Sequence, residues 1–263
     1  MPAPGSTDGT GTGPDVVERL ETADLVIEGR MPWSSNATFL CELWPSGSRP
    51  DGGLGEGHVP DLDDRIGPIG RAIYKPHRGE RPLWDFPDGL YRREAAAYTL
   101  ACAIGWDLVP PTVVRDGPLG VGSVQAFVDA DFTQHHFTLV EDERHHPQLR
   151  RLCAFDVVAN STDRKGGHVL VDEGAHLWGI DNGLCLHAEF KLRTVIWEFA
   201  DEPLPGELAE DLARFVEADL PDELASVLDP FERDALFARA RALLAEGRFP
   251  VDPTGHRIPW PLV

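Results

Sequence analysis

Asp163 and Asp181 stand in one stretch of the chain, residues 160–183 (NSTDRKGGHVLVDEGAHLWGIDNG), whose composition suits phosphate chemistry. The first lies in a polar loop, 160–167. Two short apolar segments follow, 168–171 and 177–180, joined by the turn 172–175 (DEGA), and Asp181 comes next with Gly183 closing the stretch. A hairpin between the two acids can bring both carboxylates to one end. There one can orient an acceptor hydroxyl as acid/base while the other holds Mg²⁺ on a nucleoside triphosphate. Gly166 and Gly167 let the backbone turn sharply and approach phosphate closely. The plainer reading of the same residues is a pair of turn aspartates.

The cations are unevenly chosen. Lysine occurs only at 75, 165 and 191, and asparagine only at 36, 160 and 182, while arginine is plentiful. Such a composition fits GC-rich coding, with arginine wherever any surface charge is enough. A lysine that survives marks a place where a compact point charge is needed.

Alternating apolar residues at 24–30 (DLVIEGR) and 37–43 (ATFLCEL) predict two strands, with 31–36 (MPWSSN) as the loop between them. Residues 44–65 are rich in Pro, Gly and Asp without periodicity and read as a mobile insertion. Residues 71–75 (RAIYK) form a third strand ending at Lys75. A helix over 90–104 carries Glu94 and stops at Gly105. Strands at 112–115 and 121–128 follow. The second half begins with a helix near 147–159 and is helical from residue 205 onward, at 205–217, 221–228 and 230–246. The organisation expected is α+β: a tail at 1–14, an antiparallel-sheet N-lobe at 15–128 and a mostly helical C-lobe at 129–263.

The central segment resembles the catalytic and metal-binding loops of the phosphatidylinositol 3-/4-kinase superfamily, which includes HipA-like and related atypical kinases. That family carries Asp-Arg-His-x-x-Asn, a hairpin, then Ile-Asp-Phe-Gly or a variant. Here residues 163–168 (DRKGGH) occupy the first block and residues 180–183 (IDNG) the second. The resemblance implies a two-lobed protein-kinase-like fold that binds ATP, with Asp163 as catalytic acid/base and Asp181 as the principal Mg²⁺ ligand. It further implies that Lys75, paired with Glu94, holds the α/β-phosphates. Two positions depart from the pattern. Lys165 replaces His and can still stabilise the transferring phosphoryl group as a cation. His168 replaces the metal-binding Asn, so either the second metal position is altered or Mn²⁺ is favoured over Mg²⁺. Ser34, Ser35 and Asn36 stand where a phosphate-covering loop belongs, although an ordinary hairpin loop explains them too. Gln125 and Phe127, in QAFV, resemble the hinge that meets adenine. Lys191 and Arg193 follow the metal-binding loop and could bind an anionic acceptor or simply form a solvated face.

Net charge limits the partners. With 24 basic against 44 acidic residues the chain carries −20, which repels nucleic acid and anionic lipid headgroups. Any bound anion must be held by a local cluster of positive groups, by helix N-termini or by metal ions. No stretch is apolar for long enough to span a bilayer, and the four cysteines, widely spaced, read as buried thiols in a reducing cytoplasm. The paired histidines at 135–136 and 145–146 read as surface residues rather than a metal site. The expected activity is transfer of the γ-phosphate of ATP to a hydroxyl of a protein or small molecule. The alternatives are a nucleotide-binding pseudokinase that regulates a partner, which His168 favours, and a lipid kinase, which the acidic charge disfavours.

Overall fold

A computed structural model describes residues 14–32, 34, 36–49 and 67–263. The chain divides into two compact units: residues up to Arg81 with Pro111–Phe127, and Pro82–Pro110 with Val128–Val263.

The first unit is a five-stranded antiparallel sheet. Its strands are β1 (Asp24–Arg30), β2 (Phe39–Trp44), β3 (Gly70–Pro76), β4 (Thr112–Gly117) and β5 (Gly120–Ala126), in spatial order β1-β2-β3-β5-β4. Period-two alternation sorts the faces. Cys41, Leu43, Ala72, Tyr74 and Val124 form one side of a small core, closed by Val16 and Leu20 of helix α1 (Pro14–Thr22). Arg71, Ile73 and Lys75 take the opposite face, where the register sets Lys75 against Ser123 and Ile73 against Gln125.

Helix α1 departs from the sequence reading, which ends a tail at Pro14 and assigns no element to 15–22. Proline costs no hydrogen bond in a helix's first turn, and the i,i+4 pair Val16/Leu20 gives the helix an apolar face. Arg115 Nη1 donates to Leu20 O at 2.9 Å and Ala23 O at 2.8 Å, satisfying carbonyls at the helix end. Trp44, expected in the insertion, is the last residue of β2. The remainder of the expected tail, 1–13, and the insertion residues 50–65 lie outside the described residues.

The second unit is mostly helical: α2 (Leu90–Ile104), α3 (His136–Leu139), α4 (His146–Ala159), α5 (Gly206–Glu217), α6 (Asp222–Ala225) and α7 (Pro230–Glu246), with a hairpin of β6 (Val169–Val171) and β7 (Leu177–Gly179). Helix α2, read from the sequence with the sheet, belongs to this unit. Helix α4 is its centre, buried at every residue from Leu152 to Ala159 and packed on α2, α7 and β7. Local signals set the helix ends. Gly105 closes α2 in the left-handed conformation, φ 89°, which glycine adopts at no steric cost. Asp229 and Glu232 form a reciprocal capping box at the start of α7, with Asp229 Oδ1 accepting from Glu232 N at 2.8 Å. The helical run expected from residue 205 stops at Gly247, and residues 248–263 are irregular. Among the described residues no helix is long and apolar enough to cross a membrane.

The α+β class therefore agrees with the sequence reading: an antiparallel sheet in one unit, mostly helices in the other.

Candidate active site

Helix α4 ends at Asn160, which adopts the left-handed conformation (φ 57°) that asparagine tolerates better than most residues. Its side chain is spent on the backbone of a distant segment. Nδ2 donates to His187 O at 3.0 Å and Glu189 O at 2.7 Å, while Oδ1 accepts from Lys191 N at 2.9 Å. The residue that opens the Asp163 loop thus also fixes the stretch that follows Asp181.

Arg164 organises the rest. It is 2% exposed, so its guanidinium needs partners for its donors. Nε reaches Asp156 Oδ1 at 3.1 Å, Nη1 donates to Ile180 O at 2.7 Å, and Nη2 donates to Asn182 Oδ1 at 2.6 Å. Asp156, wholly buried in α4, also accepts from Thr194 Oγ1 at 2.9 Å. One planar fork therefore ties α4, the Asp163 loop and both sides of Asp181 together. A side chain at 179 would crowd this anchor: a Cβ there would lie 2.8 Å from Leu152 Cδ1, which would have to shift, and 3.3 Å from Arg164 Nη2.

Around this buried anchor stand partly exposed groups. Lys165 Nζ lies 2.9 Å from Asp163 Oδ2, with the two side chains 21% and 29% exposed. His168, in the 3₁₀ turn Gly166–His168 that leads into β6, has Nε2 3.4 Å from Asp181 Oδ2. Its Nδ1 accepts from Lys165 N at 3.4 Å. Burial pushes the imidazole pKa below its ordinary value; Arg164 and Lys165 add to that, and Asp181 and Asp163 oppose it. With Nδ1 accepting from Lys165 N, a neutral ring would carry its proton on Nε2, facing Asp181.

Asp181 itself is held at φ 58°, a conformation unusual for a residue other than glycine. Helix α2 supports this turn. Glu94 Oε2 accepts from Asn182 N at 2.9 Å, and a Cβ on Gly183 would come within 3.1 Å of Glu94 Oε1. The neighbouring Arg93 donates to Cys185 O at 2.9 Å and pairs with Glu232 at 2.6 Å, both partners nearly inaccessible. With its side chain half exposed, Asp181 offers hard carboxylate oxygens, which fit Mg²⁺; the other coordination positions of that ion are commonly water and phosphate.

In the first unit, Lys75 sits at the end of β3 opposite Ser123. Close strand approach there depends on Gly122, where a Cβ would lie 2.4 Å from Lys75 O. Gln125 donates from Nε2 to Thr112 Oγ1 at 2.8 Å, so this side chain ties two strands together. Phe127 N donates to Arg71 O at 3.1 Å, and the Arg71 guanidinium lies 4.3 Å over the Phe127 ring. Asn36 Oδ1 accepts from Arg81 N at 3.0 Å, pinning the β1–β2 loop to the chain beyond β3. Ser34 lies half-buried in the same loop, and Ser35 is outside the described residues.

Sequence reasoning passed over the organising residues Asp156, Arg164 and Asn182. One signal was present: an aspartate inside the apolar run CAFDVVA must be paired if the helix is buried. Lys191 is less available than its sequence position suggests, since Nζ pairs with Asp85 at 3.2 Å. The histidines are also corrected. His136 is fully buried with Nε2 2.8 Å from Glu198, and His146 Nε2 contacts Val140 O at 2.8 Å, so neither is a free surface residue. A cavity of about 370 Å³ opens at the turn end of the β6–β7 hairpin, away from Asp163 and Asp181. Its acidic lining, which includes Asp129, Asp131, Asp172 and Glu173, is unsuited to phosphate.

No family model matches the chain. Among solved structures it is similar to the Helicobacter pylori proinflammatory kinase CtkA, at 9% identity and a TM-score of 0.44 over 85% of this chain and 92% of that one. It is also similar to hydra Fam20 with sugar, at 12% identity and a TM-score of 0.48 over 88% and 86%. Likeness this shallow carries no argument about activity. A relative at the sequence level is far nearer. Protein Rv2133c of Mycobacterium tuberculosis is 38% identical over 280 aligned positions that cover 92% of this chain and 93% of that protein, and the chain belongs to the same family.

Proposed function

We propose that the protein is an ATP- and divalent-metal-dependent phosphotransferase of kinase-like type, acting on a hydroxyl of a protein or small molecule. The observation that carries this reading is the Arg164 fork, which joins the Asp163 loop to Ile180 and Asn182 on either side of Asp181. A chance pair of turn aspartates has no need of such an anchor. Asp163 would accept the proton of the attacking hydroxyl, and Lys165, 2.9 Å away, would supply positive charge where phosphoryl charge develops. Bound Mg²⁺ neutralises phosphate charge, and Asp181 is the residue we assign to hold it, with Glu94 fixing the turn through Asn182 N. Within the first unit, Lys75 would position the α/β-phosphates as the kinase resemblance implies, with the β1–β2 loop and the segment at Gln125 and Phe127 also meeting the nucleotide.

One observation favours the pseudokinase reading. For His168 Nε2 to ligate metal, the ring would have to give up the Lys165 N–H bond at Nδ1. A second metal on this residue is therefore costly, and activity would rest on Asp181 alone. Incubation with labelled ATP and Mg²⁺ or Mn²⁺ separates the readings. Phosphotransfer or ATP turnover by the wild type, lost in Asp163→Asn while nucleotide binding persists, is the expected result. Nucleotide binding without turnover by the wild type under either metal would leave the pseudokinase.

A further inference from the structure

Residues 252–263 have no regular secondary structure, yet specific bonds place them against the catalytic loop proposed above. Asp252 begins the arrangement: Oδ1 accepts from Thr254 N at 2.9 Å and Thr254 Oγ1 at 2.7 Å, and Oδ2 accepts from Arg257 N at 2.7 Å. This closed loop aims the Arg257 carbonyl, which accepts from Thr194 N at 3.2 Å and from Trp197 Nε1 at 3.1 Å. The Arg257 guanidinium lies 4.6 Å over the Phe190 ring. Thr194 is the residue that bridges Arg164 in parallel and bonds Asp156, so the first grip falls on the anchor of the site.

The second grip falls on the loop itself. Leu262 O accepts from Gly166 N at 2.7 Å, directly after Lys165. Gly166 is enclosed there: a Cβ would lie 3.0 Å from Phe137 Cε2 and 3.3 Å from Leu262 O. Backbone so closely packed leaves the Asp163–Lys165 turn little freedom while the segment is in place. The segment's other side is apolar and exposed, with Ile258 44%, Trp260 85% and Val263 58% accessible, so its inward bonds, with Leu262 packed against the core of the unit and Pro259 buried, hold it.

We propose that residues 252–263 form a positioning strap that holds the Asp163–Lys165 loop in its active geometry through Arg257 and Leu262. Its catalytic consequence rests on the phosphotransfer reading, whereas its mechanical action on the loop does not. Hydrogen exchange on the full-length protein tests the second without the first. In Asp252→Ala, which removes three bonds of the closed loop, the peptide 161–168 and the Gly166 amide should exchange about tenfold faster, the effect of losing one or two ordinary hydrogen bonds. Peptides of α5 should not change, nor should any site in Trp260→Ala, whose ring is solvated. A chain cut after Val251 should show the same acceleration more strongly; if it does not fold, Asp252→Ala decides alone. Unchanged exchange at 161–168 in Asp252→Ala would overturn the strap. ATP turnover, measured in parallel, should fall in kcat with KM for ATP unchanged. If the loop loosens but the wild type turns over no ATP, the strap stands and the phosphotransfer reading fails. If turnover is present and exchange does not respond, the reverse holds.

Discussion

Replacing Asp156 by alanine should destabilise the helical unit more than any change among the exposed site residues. The carboxylate is wholly buried, and the guanidinium it holds is 1% exposed, so the variant leaves a cation without its counter-ion inside the unit. Arg164 Nε loses its acceptor at 3.1 Å, Nη2 keeps Asn182 Oδ1 but loses the carboxylate at 3.1 Å, and Thr194 Oγ1 loses its acceptor. Breaking a buried pair by removing one member costs about 3–5 kcal/mol, because the remaining charge cannot be rehydrated. For a unit of this size, at roughly 2–4 °C per kcal/mol, the melting temperature should fall by about 6–20 °C. Urea unfolding followed by tryptophan fluorescence measures it, and Asp156→Asn, which keeps one acceptor, should cost less. In a double-mutant cycle with Arg164→Met the two changes should couple by about 2 kcal/mol or more, since each alone strands the other. A loss below about 1 kcal/mol in Asp156→Ala, or additive costs in the cycle, would refute the role given to this pair.

If Nε2 faces Asp181 with its proton in place, 3.4 Å from Oδ2, His168→Asn should leave the ratio of Mn²⁺- to Mg²⁺-supported turnover unchanged; a shift toward Mg²⁺ would instead make His168 a metal residue. Glu198 tests the acid limb of stability. Burial acts to raise its pKa, but the hydrogen bond and charge of His136, together with backbone hydrogen bonds at Glu198 and Trp197, leave it lowered from 4.5. Its contribution is therefore present above the unfolded value and lost as pH falls through the folded one, so Glu198→Gln should flatten stability against pH below about 4.5. Identical acid limbs in wild type and variant would remove that pair from the account.

The features legible in the sequence are those written locally. Helix α2 is a run of strong helix formers ended by Gly105, and its bounds coincide with the sequence reading. Strand β3 alternates cleanly up to Lys75, and the capping box at Asp229 marks the start of α7. Helix α1 was hidden because only Val16 and Leu20 bury, too short a pattern to stand out beside a Gly/Thr-rich approach. The support of the candidate site was hidden for another reason. Asn182 meets Glu94 and Arg164 meets Thr194 across long stretches of chain, and each pairing depends on which helix covers which loop. Arg164 reads in sequence as a filler between two site residues, yet it carries more of the site's order than either. The strap shows the same limit: nothing in DPTGHRIPWPLV announces that its carbonyls are aimed at Thr194 and Gly166.

The measurement closest to the central claim is the Mg²⁺ dependence of nucleotide affinity in the wild type and in Asp181→Asn. Titration of a non-hydrolysable ATP analogue, with and without Mg²⁺, reads it directly. If Asp181 holds the metal on the triphosphate, Mg²⁺ should tighten binding to the wild type by about tenfold or more, equivalent to at least about 1.4 kcal/mol. Most of that gain should vanish in the variant while metal-free affinity and melting temperature stay close to wild type. Equal Mg²⁺ enhancement in both proteins, or no nucleotide binding by the wild type at all, would contradict the account.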